Sequence, residues 1–159
     1  MKRRAFLTLF CALPLAGCGF QLRGARAIPY RSIYVDAPKD SAAARQLTSA
    51  LRSQGITVSE SAQGAEATLK LSQEQLNRSI LSLSGGGRVR EYRLIYILAY
   101  NLTGKAGQEI YPDTTIQLTR DFTYDDNQYL AKTAEENLLH RDLQDDAVQQ
   151  VLRRLATPR

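Results

Sequence analysis

Hydrophobic and polar positions change period several times along the chain, and each change marks an element. Ser32-Ile33-Tyr34-Val35-Asp36 is β-branched and aromatic and is closed by Pro38, which predicts a first strand. Asp40 or Ser41 then caps a helix to about Gln54, with Ala43, Ala44, Leu47, Ala50 and Leu51 on one stripe and Gly55 as its stop. Ile56 to Ser59 reads as a short extended piece. From Glu66 the period drops to two: Ala67, Leu69 and Leu71 alternate with Thr68, Lys70 and Ser72, and the strand continues to Leu83. Ser84-Gly85-Gly86-Gly87 is a hairpin connection, because strand pattern and not a helix follows it. The next strand, from Arg88 to about Leu102, is apolar on both faces, with Tyr92, Leu94, Tyr96, Leu98 and Tyr100 on one side and Val89, Ile95, Ile97 and Ala99 on the other. It belongs in the middle of a sheet.

After the turn at Thr103–Gly107, a strand over about Gln108–Tyr124 sets Ile110, Thr114, Ile116, Leu118, Phe122 and Tyr124 against Asp113, Thr115, Gln117, Thr119 and Asp121. Pro112 marks it as an edge or as bulged. The period returns to that of a helix from Tyr129 to Leu155, with Leu139, Leu143, Ala147, Val151 and Leu155 recurring every four residues beside Leu138, Val148 and Leu152. The order β-α-β-β-β-α predicts an α/β (α+β) domain. Two helices pack on one face of a four-stranded mixed sheet, its first two strands parallel and the rest a meander.

The apolar run at the start of the chain belongs to a different device. Lys2, Arg3 and Arg4 precede the apolar stretch from Ala5 to Leu13, which is far shorter than the ~20 residues a spanning helix needs. Leu15-Ala16-Gly17-Cys18 follows, with small residues directly before a cysteine. This is the order of a lipoprotein signal peptide over residues 1–17, a lipidated tether over 18–30 and a single domain over 31–159. Cys18 is then the lipidation site, carrying covalent N-acyl and S-diacylglycerol groups as the only expected non-protein component. Two or more acyl chains hold a protein on a membrane stably.

Charge and cysteine content narrow the partners. The chain of 159 residues has a formal charge of +5, which falls to +2 when Lys2, Arg3 and Arg4 leave with the leader. A mildly basic exported domain does not point to nucleic acid; anionic lipid headgroups are the more natural counterpart. Cys11 and Cys18 are the two cysteines, so the domain has no internal disulfide and rests on packing. His140 is the one histidine, beside Arg141 on the last helix, where packing or exposure outweighs catalysis. Asp142, Asp145 and Asp146 balance Arg141, Arg153 and Arg154 and lack calcium-loop geometry. No catalytic set and no metal site is expected, and nothing marks a nucleophile elbow for Ser–Lys hydrolysis.

The run Leu15-Ala16-Gly17-Cys18-Gly19-Phe20-Gln21-Leu22-Arg23-Gly24 resembles the opening of the LPS-assembly lipoproteins (LptE, or rare lipoprotein B). So do Arg90-Glu91-Tyr92, Glu109-Ile110-Tyr111-Pro112, and Arg120-Asp121-Phe122 through Asn127 into Leu130-Ala131-Lys132. The resemblance implies a lipoprotein of the outer membrane, facing the periplasm and the lumen of an LptD-type β-barrel that it plugs. It also implies lipopolysaccharide binding through basic residues at the hairpin tip and at the entrance to the last helix. Lys132 falls on the second position. At the first, Gly85 stands where the family pattern has arginine, which leaves Arg88, Arg90 and Arg78 as candidates. An auxiliary lipoprotein of another envelope lipid-transport complex is the alternative. Tyr92, Tyr96, Tyr100, Tyr111 and Tyr124 suit either a docking face of the sheet or its core.

Overall fold

The computed structural model describes residues 27–157, so the leader, Cys18 and most of the tether lie outside the described residues. The elements are β1 (Ser32–Asp36), α1 (Ala42–Ser53), β2 (Thr57–Ser59), β3 (Ala67–Leu83), β4 (Val89–Gly104), β5 (Glu109–Thr123) and α2 (Tyr129–Leu155), with single 3₁₀ turns at Ala62–Gly64 and Asp126–Gln128. One sheet has the order β2-β1-β3-β4-β5. β1 runs parallel to both β2 and β3, and β3, β4 and β5 form the antiparallel meander.

The sheet therefore has five strands, not four. Thr57–Ser59 pairs with Ser32–Tyr34 as an extra edge, and three residues are too few to show an alternation in the sequence. Both helices lie on one face. Ala43, Leu47 and Leu51 of α1 and Leu143, Ala147, Val148, Val151, Leu152 and Leu155 of α2 join Ile33, Leu69, Leu71, Leu94, Leu98 and Leu102 in a single core. Leu138, assigned to the α2 stripe by its spacing, is 52% exposed, because five residues before buried Leu143 it lies about 140° round the helix from the core-facing side.

Two bulges decide which side chains enter that core. In β5, Tyr100 faces Thr114 while Leu102 faces Tyr111, so one extra residue at Pro112–Asp113 reverses the alternation. Tyr111 is buried and Ile110 only half so, the opposite of a uniform alternation. Pro112 is thus both on an edge strand and in a bulge. In β3, Leu71 faces Tyr100 and Gln73 faces Ala99, so Ser72 is the extra residue and Glu74, Leu76, Arg78 and Ile80 come to the helix side.

The tyrosine face of β4 is the covered one. Tyr96 and Tyr100 are core residues, as is Tyr111 of β5, so a tyrosine-rich docking surface on the sheet is excluded for these three. The uncovered face presents half-buried Ile95, Ile97 and Ala99 between Asn77, Gln75 and Gln73 of β3 and Thr119, Gln117 and Thr115 of β5. Arg93 and Asp121 pair across it with two 2.7 Å contacts, which holds the Asp121 carboxyl below its ordinary range and the Arg93 guanidinium above its own.

Candidate functional site

The strand directions give the domain two distinct ends. The chain enters at Ile28–Arg31, and the β4–β5 turn and the end of α2 lie there too. The β3–β4 hairpin, the end of β5 and the start of α2 lie at the other end. The hairpin closes through Ser84 N–H to the Arg88 carbonyl (2.7 Å) and Gly87 N–H to the Ser84 carbonyl (2.9 Å), with Gly87 at φ 76°, a conformation that glycine adopts without strain.

Three of the four predicted basic residues meet around one aromatic cluster at this hairpin end. Tyr92 contacts Tyr124 edge-on at 5.1 Å between ring centroids and Phe122 at 5.8 Å. The Arg78 guanidinium lies 4.4 Å over the Tyr92 ring and reaches Glu136 of α2 at 3.0 Å. Arg90 shares a recess of about 440 Å³ with Ser82, Leu83, Glu91, Thr123 and Tyr124. Lys132 donates to Thr123 Oγ1 on the rim of that recess (3.2 Å) and to Glu135 (2.8 Å), leaving its side chain 15% exposed. Arg88 is exposed at the hairpin itself, its N–H bonded to Ser84 Oγ at 3.1 Å.

Glu135, Glu136 and Thr123 are the residues that sequence reasoning missed, whereas Tyr92 was singled out only as a docking or core tyrosine. The i,i+3 spacing of Lys132 and Glu135 was the one legible cue. Apolar side chains stand exposed beside the cations: Leu83 (55%), Tyr129 (61%) and Leu130 (83%).

Chemistry elsewhere is structural. A cleft of about 620 Å³ at the start of α1 is lined by Ser41, Glu74, Leu76, Tyr96, His140 and Arg141 among others. Within it the Glu74 carboxylate accepts from Ser41 Oγ (2.5 Å), Ala43 N–H (3.1 Å) and Tyr96 O–H (2.9 Å), which satisfies the helix N-terminus. His140 Nε2 is buried with no hydrogen-bond partner, 3.8 Å from Glu136. Desolvation lowers its pKa, with Glu136 opposing and Arg78 assisting. Among the described residues no group of three or more His, Cys, Asp and Glu side chains could hold a metal ion, and no helix is long and apolar enough to cross a membrane.

The LptE family model, described as lipopolysaccharide-assembly, matches residues 30–155. The chain belongs to the LptE family. A relative from Pectobacterium atrosepticum named LPS-assembly lipoprotein LptE is 26% identical over 99% of this chain and 88% of its own. A Yersinia pestis protein of the same name is 29% identical over 98% of this chain and 77% of its own. The solution structure of lipoprotein B from Nitrosomonas europaea superposes with a TM-score of 0.76 at 36% identity, covering 87% of this chain and 90% of that one. Rare lipoprotein B from Shewanella oneidensis gives 0.69 at 27% identity, covering 79% and 93%. The LptE-family fold and the mixed α/β architecture thus agree. An LptE-type protein is a lipoprotein of lipopolysaccharide assembly in the Gram-negative envelope.

Proposed function

We propose that this LptE-family domain is anchored through lipid on Cys18 to the outer membrane, sits inside an LptD-type β-barrel, and receives lipopolysaccharide at its hairpin end. The observation that carries the reading is the grouping of Arg78, Arg90 and Lys132 around Tyr92, Tyr124 and Thr123 at the end opposite the tether. The 16 residues of β4 separate the two ends by about 50 Å, so an anchor at one end leaves the other free to work deep within a barrel.

The surface suits an amphiphile that carries phosphate. Guanidinium and ammonium groups attract the phosphates, Arg by forked contacts, and Leu83, Tyr129 and Leu130 stand ready for acyl chains. Lys132 is held by Glu135, so a phosphate that binds there takes over a contact already made, and the partially shielded ammonium gains a stronger anion. No step of covalent chemistry is required.

Two measurements test the reading. Co-expressed with the barrel and washed stringently, the chain should co-purify with it; elution as a free domain points instead to another envelope complex. Lys132→Asp reverses one charge in a partly exposed position and should weaken binding of purified lipopolysaccharide about tenfold, with the circular dichroism spectrum unchanged. Unaltered binding removes Lys132 from the site.

A further inference from the structure

β3 is 17 residues long, yet β1 accompanies it only from Ala67 to Lys70. The turn before α1 flanks the next stretch, where Pro38, Asp40 and Ser41 line a cleft with Ser72, Gln73, Glu74 and Gln75. From Leu76 to Leu83 the strand pairs with β4 on one side, and no strand among the described residues pairs with it on the other. Such an edge bears a row of unpaired N–H and C=O groups, which proteins ordinarily guard with charges or proline.

This stretch is thinly guarded. It contains no proline, and its one ionisable residue, Arg78, is drawn onto Tyr92 and Glu136. It also exposes Leu76 (42%), Ile80 (58%), Leu81 (39%) and Leu83 (55%). Leu76 and Ile80 share the helix side of the sheet, opposite Tyr96 and Tyr92 of β4. The bulge at Ser72 precedes the edge and the one at Leu81 interrupts it, so regular pairing with an incoming strand runs over about five residues, Leu76–Ile80.

We propose that Leu76–Leu83 takes up an extended segment of the barrel partner as an added strand, with apolar side chains of that segment covering Leu76 and Ile80. Only a polypeptide backbone repeats donors and acceptors at the roughly 6.8 Å spacing of such an edge; an acyl chain would cover the leucines and leave the amides bare. The inference rests on the reading given under Proposed function, since a barrel enclosing one domain supplies extended segments and holds other copies away.

Hydrogen exchange, read by mass spectrometry on the co-purified complex and on the full chain expressed without the barrel, tests it. In the free chain the outward amides of residues 76–83 exchange freely. In the complex they slow by about tenfold or more, the factor that one added hydrogen bond of ordinary net strength supplies. A complex in which residues 76–83 exchange as in the free chain overturns the added strand and leaves the barrel partnership standing. Failure to co-purify removes both. Protection already present in the free chain overturns it too: if it grows with concentration a second copy occupies the edge, and if it does not, the edge is closed within the free chain itself.

Discussion

Glu74 shows how one extra residue changes the job of another. Without the bulge at Ser72, the alternation of Ala67, Leu69 and Leu71 would carry Gln73 inward; with it, Glu74 turns under α1 and serves Ser41, Ala43 and Tyr96 together. A carboxylate at a helix N-terminus meets both unpaired amides and the positive end of the helix dipole. Replacing it strands a buried tyrosine hydroxyl and a helix amide. Glu74→Ala should therefore lower stability by about 1–3 kcal/mol in urea unfolding, and Ser41→Ala should cost less in that background than in the parent. A loss within 0.5 kcal/mol of zero, on the order of an ordinary surface change, would show the cap to be idle. His140 acts in the other direction. Burial holds its folded-state pKa below that of an ordinary histidine, so the unfolded chain binds the proton more readily. Its contribution to stability is present above about pH 6.5 and is lost as pH falls from there through the folded-state value. His140→Gln should flatten the stability profile between pH 7 and 5, and an unchanged slope would assign the acid sensitivity to the carboxylates.

At the scale of elements, legibility followed from how much of the information was local. α1 carried its stripe, its cap and its stop within one segment, and Ala43, Leu47 and Leu51 are buried as their spacing required. The face switch in β5 was hidden because Pro112 announces a bulge without saying which rung it displaces; only pairing with Tyr100 and Leu102 decides that Tyr111 goes in. Leu138 stood next to the true stripe residue Leu139 in sequence, and only the packing shows that it points away from the sheet. In the site, the cations were legible through family resemblance, whereas their partners Tyr92, Thr123 and Glu136 lie on other elements and depend on the fold. The hairpin offers a direct test of that resemblance. A Cβ at Gly85 meets nothing within 4 Å, and unlike Gly87 the residue does not occupy the left-handed region. Gly85→Arg should fold normally, with a Tm within about 2 °C of the parent, and should bind purified lipopolysaccharide several-fold more tightly. A drop in affinity would place the ligand away from the hairpin tip.

For the whole molecule, the division into a tethered end and a basic end sets what the anchor has to do. No helix among the described residues is long and apolar enough to cross a bilayer, and in the proposed reading membrane attachment falls to lipid on Cys18 and to the barrel. Each buried methylene of an acyl chain contributes about 0.8 kcal/mol to that attachment. In cells lacking the barrel, Cys18→Ser should move the protein from the membrane pellet to the soluble fraction with its circular dichroism unaltered. Retention in the pellet would mean that something other than lipid holds it. Residues 27–157 contain no cysteine, so no disulfide holds the described fold together and reductant should leave its stability unchanged.

β1, five residues long, has parallel neighbours on both sides and is the first strand that the tether reaches. Tension arriving from residues before Ile28 runs along that strand, so the rungs to β2 and β3 resist it in shear and share the load at once. An edge strand in its place would peel off rung by rung; under the proposed anchoring, a drifting membrane can tug on its leash without unravelling the domain.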